Sequence, residues 1–339
     1  MKTEYLPFSG EMIYEAGVLL AKRHARNRKA MPLLPARFED PEVAAKAIED
    51  LWQSKFKNGY AAIHNEKMVA YLIGDFENMP WARSGYVYLH GYALADGESV
   101  AVLQDLYALL GEDWVRKGIF SHNLYISAAD KEVIQGLFSI GLGMERVDGL
   151  IDLRTLEIPK LDDPPGITIR RAGKDDAERA GSVAYVMIDA LSSPPYWLPI
   201  APESIPEWKE RWAGRVDDQA QGGKGWAVWM ALEQEQAVGT VTFFKNTGQE
   251  NEVQMLLSPQ TVYLATAVTR PEVRNRGIAN ALTWRGLEEA RKEGSEACLV
   301  NWVSANLLAA RYWPRFGFQE AAYRLSKQVN PMSVWARPQ

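Results

Sequence analysis

"TVYLATAVTRPEVRNRGIANALTWRGLEEARKEG" (261–294) reads as a strand, a loop and a helix. The β-branched and aromatic residues of 261–268 suit a strand, and the apolar-periodic run that follows suits a helix over 277–293. Arg274, Arg276 and Gly277 stand where that helix begins. The positive end of a helix macrodipole favours carboxylates, so two arginines there run against the local rule. A loop entering a helix leaves several N–H groups unpaired, and together with the dipole these favour a phosphate. Gly277 and Ala279 let a ligand approach the backbone, and the arginines become favourable once a pyrophosphate sits between them. The arginines are therefore expected to serve a ligand. For the R-x-x-G-x-A hexapeptide alone, an incidental helix-start glycine beside solvated arginines is the competing reading.

The chain has 339 residues, about twice a typical domain length, which predicts two domains. A break is expected at "LEIPKLDDPPGIT" (156–168), where Pro159, Pro164, Pro165 and Gly166 interrupt regular structure. The order of elements looks alike on either side. Hairpins are predicted at 59–76 and 225–244, followed by strands at 86–94 and 261–268. Val87-Tyr88-Leu89 matches Val262-Tyr263-Leu264 at an offset of 175, and "SAAD" (127–130) falls against "VSAN" (303–306) at 176. An offset that drifts by so little is the mark of a duplicated domain. Asp130 and Asn306 then occupy equivalent places, each read as the N-cap of a short helix.

Residues 167–325 resemble a GNAT-superfamily N-acetyltransferase domain. "ITIRRAGKDDAERAG" (167–181) is similar to the family's opening strand and helix, 268–294 to its fourth strand, pyrophosphate loop and third helix, and "NLLAARYWPRFGF" (306–318) to its closing motif. The implied fold class is α+β (α/β): two tandem GNAT-like domains, each a mixed, mainly antiparallel twisted sheet flanked by helices. The implied division is a degenerate domain over 1–155, a linker over 156–166 and the N-acetyltransferase domain over 167–339. The resemblance further implies acetyl-CoA as cosubstrate. Backbone groups of Ala267 and Val268 would hold the pantetheine arm and thioester carbonyl. The amides of Arg274, Asn275, Arg276, Gly277, Ile278 and Ala279 would bind the pyrophosphate, and Asn306 would contact the cosubstrate.

The sequence departs from the family at the general acid, a tyrosine seven residues after the asparagine. Trp313 stands there and Tyr312 is one residue earlier, with Pro314 able to kink the helix. Tyr312 is the candidate acid, against a packing role in the core. No histidine follows His122, so the second half has no imidazole base of its own. Glu252 and Tyr263 are the remaining catalytic candidates, Glu252 set against a solvated-loop role, and an amine that loses its proton to water needs no base. In the first half Ser99 replaces Arg274, Val102 replaces Gly277 and Leu103 replaces Ile278, so residues 1–155 are expected to keep the fold without binding acetyl-CoA.

Nine of the twelve tryptophans lie after residue 190, which suggests an aromatic-lined cavity. In the family the segment corresponding to 189–212 shapes the acceptor pocket. Tyr196 and Trp197 offer apolar faces there, and Glu203 and Glu207 could meet a cationic amine; closing the core is the competing role of the aromatics. The net charge of −5 argues against nucleic acid and anionic membranes as partners. One cysteine, Cys298, excludes an intrachain disulfide and reads as a buried thiol, and no Cys/His cluster has zinc-ligand spacing. With no signal-peptide-like start and no 18-residue apolar run, a cytoplasmic location is expected. The expected reaction is acetyl transfer from acetyl-CoA to a primary amine of a small molecule or peptide. The alternatives are a non-catalytic acyl-CoA-binding module and transfer of a longer acyl or an aminoacyl group. The acceptor and the oligomeric state stay open.

Overall fold

Both hairpins form, and their turns explain why. Asn65 and Glu66 (φ 51° and 61°) and Gln234 and Glu235 (φ 47° and 63°) put two consecutive residues in the left-handed region. That geometry matches the twist of the flanking strands. The computed structural model describes residues 3–79, 82–160, 162–222, 225–245 and 253–336. The chain divides into two units: Met1–Val147 with Glu250–Ser258 and Glu320–Gln339, and Asp148–Gln249 with Pro259–Gln319.

Unit 1 contains β1 (Glu4–Pro7), α1 (Ile13–Ala30), α2 (Pro41–Trp52), β2 (Asn58–His64), β3 (Lys67–Met79), β4 (Ala82–Val87), β5 (Tyr92–Leu94), α3 (Ala101–Arg116), β6 (Ser121–Ser127) and α4 (Lys131–Ser139). Strand β7 (Gly143–Asp152) begins in unit 1 and ends in unit 2. Unit 2 holds β8 (Thr168–Arg171), α5 (Ala177–Gly181), α6 (Tyr185–Ser192), α7 (Ile205–Ala220), β9 (Trp226–Glu233), β10 (Gln236–Lys245), β11 (Thr261–Thr269), α8 (Ile278–Lys292), β12 (Ala297–Val303) and α9 (Leu307–Tyr312). The last strand, β13 (Gln319–Gln328), returns to unit 1, where it pairs antiparallel with β6 from Ala322↔Ser127 to Gln328↔Ser121.

The units repeat one pairing scheme. In unit 1, β1, β2, β3 and β4 pair antiparallel in turn and β4 pairs parallel with β6. In unit 2, β8, β9, β10 and β11 pair antiparallel and β11 pairs parallel with β12. Each sheet is mixed, mostly antiparallel and flanked by helices, as the sequence implies. The 86–94 segment differs from expectation: it is two strands, not one. Gly91 N donates to Tyr88 O (2.8 Å), and the turn moves Tyr92–Leu94 onto β3. Only glycine fits there, because a Cβ on Gly91 would collide with the Ile73 carbonyl.

The unit 1 core is built on Trp114, Leu106, Leu110 and Tyr92. One face of the unit 2 sheet packs against α5–α7 through Trp212, Val216, Val228, Met230 and Val268. The other receives α8, where Gly286 lies so close to the Phe243 ring that a side chain would overlap it. Cys298 is buried, and burial pushes its thiol pKa up.

Candidate functional site

Strand β11 bends where its pairing changes. Thr242 lies opposite Thr266 but Phe243 opposite Leu264, so Ala265 is an extra residue on β11, a β-bulge. The parallel register with β12 ends at Leu264↔Val300, although β11 runs on to Thr269. Past the bulge, Ala267 and Val268 pair with Val241 and Thr240 of β10 on one side. Their other side carries no strand among the described residues.

The chain then enters α8 through a loop with two left-handed residues, Asn275 (φ 63°) and Gly277 (φ 81°), the latter the helix N-cap. The first helical bond runs from Ala281 N to Gly277 O (3.0 Å). Among the described residues, the amides from Asn275 to Asn280 donate to no backbone carbonyl. A Cβ on Gly277 would meet nothing within 4 Å, so the space before this helix end is open. Six adjacent amides around a positive dipole end suit an anion.

The side chains divide. Arg276 donates through Nη2 to Glu233 Oε1 (2.9 Å) and to the Pro165 carbonyl (3.3 Å), which draws its side chain toward β9. Arg274 is exposed and lines a cleft of about 300 Å³ together with Asn306, Pro271, Asp189 and Ser193. Ile278 is buried and Ala279 half-buried in the first turn of α8. Asn306 accepts a bond from Ala309 N (3.2 Å), capping α9 as read from the sequence.

Helix α9 ends at Tyr312 and tightens into a 3₁₀ turn over Trp313–Phe316, the change of winding that Pro314 makes favourable. Trp313 turns inward against Phe316 and Phe318. Tyr312 packs edge-on to Trp313 and extends its hydroxyl to Thr283 Oγ1 on α8 (3.1 Å). Burial pushes the Tyr312 phenol pKa up. Tyr263, on the α7 face of β11, receives a hydrogen bond from Asn301 Nδ2. Glu252 lies outside the described residues.

The acceptor-side candidates are dispersed. Tyr196 is half-buried, while Trp197 is 65 % exposed with φ 51°. Glu203 is exposed, and Glu207 pairs with Arg211 one turn along α7 (2.9 Å). The sequence reading missed Arg215 on α7 and Thr242, Thr266 and Asn301 on the strands beneath it. Only the Trp208/Trp212/Arg215 spacing on one helix face hinted at them.

Unit 1 differs at each of these points. Helix α3 starts without a left-handed glycine, and Val100, its N-cap, packs against Gly136 of α4. Arg23 of α1 donates to the carbonyls of Leu89 (2.5 Å) and Tyr92, the counterparts of Leu264 and Ala267. Asp130 stands at the N-cap of α4, as read from the sequence, but its side chain makes no cap bond. Its buried carboxylate is drawn instead to Tyr92 Oη (2.7 Å), Arg26 (3.1 Å) and Arg23 (3.7 Å), because a buried charge needs compensation more than a helix end needs a cap.

Comparison with known proteins bears on the family and the fold. Residues 163–318 match the Acetyltransferase (GNAT) family model. No curated protein matches the sequence significantly. Among solved structures, a GCN5-related N-acetyltransferase from Sphaerobacter thermophilus is 17 % identical with a TM-score of 0.60, over 97 % of this chain and 96 % of its own. A tandem GNAT protein from the clavulanic acid biosynthesis pathway is 12 % identical with a TM-score of 0.53, over 97 % and 99 %. A glucosamine N-acetyltransferase region of a fungal multi-domain β-N-acetylglucosaminidase is 14 % identical with a TM-score of 0.55, over 96 % of this chain and 38 % of that one. Residues 163–318 therefore form a GNAT-superfamily acetyltransferase domain, within a chain that has the fold of tandem GNAT proteins.

Proposed function

We propose that unit 2 is an acetyl-CoA-dependent N-acetyltransferase acting on a primary amine of a small molecule or peptide. The observation that carries this reading is the row of unused amides from Asn275 to Asn280 around Gly277, just after the stretch of β11 that has lost its parallel partner. In this reading the pyrophosphate rests on those amides with Arg274 beside it, and Asn306 borders the same cleft. The backbone edge at Ala267 and Val268 holds the pantetheine arm and the thioester carbonyl. The amine nitrogen attacks the thioester carbon and releases its proton to water. The tetrahedral oxyanion collapses, the C–S bond breaks, and Tyr312 gives its proton to the departing sulfur. A phenol kept protonated by burial suits that acid role. Tyr263 and Tyr196 belong to the acceptor side, with Trp197 at its rim. An acyl-CoA cosubstrate suits a cytoplasmic location.

Unit 1 takes no acetyl-CoA in this reading, because Arg23 already satisfies the carbonyls that a pantetheine arm would use. The second reading, a non-catalytic acyl-CoA-binding module, is favoured by Trp313 lying in the core. Titration calorimetry with acetyl-CoA, followed by an amine panel, separates the two. One site per chain, abolished by Gly277→Glu, together with turnover of any amine, supports the enzyme. Binding without turnover supports the module, and no binding rejects both.

A further inference from the structure

Thr242 pairs with Thr266, and Phe244 with both Tyr263 and Trp226, so these residues share the sheet face covered by α7. Above them, the Arg215 guanidinium lies between two indoles, 4.4 Å from the Trp212 ring centre and 5.1 Å from that of Trp226. Its Nη1 donates to Thr266 Oγ1 (2.9 Å) and reaches Thr242 Oγ1 at 3.5 Å. Thr266 directly follows the bulge and precedes Ala267, so this cation sits one residue from the edge assigned to the pantetheine arm and the thioester carbonyl.

Arg215 is half-buried, yet among the described residues no carboxylate pairs with it, and its Nε and Nη2 have no protein acceptor. Neither nitrogen is a sealed orphan. The neighbouring cation, Arg211, is matched by Glu207 and does not help to neutralise it. Burial and Arg211 lower the guanidinium pKa to about 10, an effect that Tyr263 only partly offsets. Such a charge is costly unless an anion completes it. The two free nitrogens form one edge of the planar fork, which fits two oxygens side by side.

We propose that Arg215 receives the carboxylate of the acceptor, so that the amine acetylated belongs to an amino acid or a similar amino carboxylate. A single cation between aromatic walls suits a singly charged carboxylate better than a doubly charged phosphate. The proposal rests on the acyltransferase reading for the identity of the bound molecule as acceptor. The Trp212 and Trp226 rings flank the guanidinium, and Tyr263 with Asn301 extends the polar floor toward β12.

The test uses the full chain with CoA present and measures binding of each standard L-amino acid against its decarboxylated amine, by calorimetry and by tryptophan fluorescence. At least one amino acid should bind roughly tenfold or more tightly than its amine, the scale of one charge-assisted pair. Arg215→Gln should remove that preference and Arg215→Lys should restore part of it, with acetyl-CoA affinity and melting temperature unchanged in both. If no amino acid outbinds its amine, or if Arg215→Gln keeps the preference, the proposal is overturned. If the fold does not survive Arg215→Gln, wild-type discrimination and the Arg215→Lys variant decide it. Acetyl-CoA binding without any carboxylate preference overturns this inference alone; a carboxylate preference without acetyl-CoA binding overturns the acyltransferase reading alone.

Discussion

The Tyr312 hydroxyl meets Thr283 Oγ1 at 3.1 Å, joining α9 to the second turn of α8. If Tyr312 is the acid, Tyr312→Phe keeps the ring packing and lowers kcat by about 10²-fold with acetyl-CoA affinity retained. Thr283→Val removes only the partner and should cost about 1 kcal/mol of stability with a change in kcat of a few-fold at most. Because burial raises the phenol pKa, this group gives no alkaline fall in kcat below about pH 10. Steady-state rates across pH check all three statements, and full activity in Tyr312→Phe removes Tyr312 from the mechanism.

Gly277→Ala separates backbone strain from ligand clearance. A Cβ there meets nothing within 4 Å, so the cost in the free protein is that of a left-handed alanine, roughly 1 kcal/mol. Acetyl-CoA affinity should fall further, since the methyl group enters the space that the phosphates need. Calorimetry alongside urea unfolding measures both, and an unchanged affinity would move the pyrophosphate away from this loop.

Asp176 ties β8 to the start of α5: its carboxylate accepts from Arg170 (2.5 and 3.0 Å), Gly173 N (2.7 Å) and Arg179 (2.8 Å). These donors, Arg170 foremost, hold its pKa well below the usual carboxylate range. Its stabilising contribution is complete above about pH 4 and is lost as the pH falls through the depressed value. Asp176→Asn should cost about 2 kcal/mol at neutral pH and flatten the acid limb of a melting-temperature profile.

His24 is 2 % exposed, and Nε2 lies 2.8 Å from the Pro35 carbonyl. Burial, with Arg23 and Arg28 adding, lowers its pKa to about 4. The unfolded chain therefore takes up a proton first as the pH drops below about 6.5. Unit 1 should lose up to about 3 kcal/mol between there and pH 4 from this group. Denaturant midpoints for wild type and His24→Gln across that window test the slope, which the substitution should reduce.

Arg23→Met should cost about 3 kcal/mol, because it strips a cation from the buried Asp130 carboxylate. It should not open a second acetyl-CoA site, since Val100 and Gly136 still close the start of α3. A stoichiometry of two per chain, in the variant or the wild type, would contradict the assignment of unit 1.

What was legible in the sequence was mostly local. The hairpins, the glycine at the start of α8 and the Asn306 cap each depend on a few neighbouring residues, so their patterns appear in short windows. The Arg215–Thr266 contact joins residues 51 apart, and neither residue marks its partner. Asp130 takes the cap position that its short window implies, but the partners that draw its carboxylate away, Arg23 and Tyr92, come from distant segments. The break at Tyr88–Gly91 was hidden because the residues on either side all have strand propensity, and the steric demand comes from Ile73.

Strand β13 has a consequence for how the protein is made. The sheet of unit 1 includes residues 322–328, which follow every segment of unit 2. During synthesis, β6 must wait for its antiparallel neighbour until all of unit 2 has emerged, and its exposed edge invites mispairing in the meantime. Severing the chain at 156–166 would deprive the first fragment of that neighbour and the second of residues 148–152. Residues 156–166, rich in proline, therefore offer no point at which the chain can be cut without taking strand segments from both fragments.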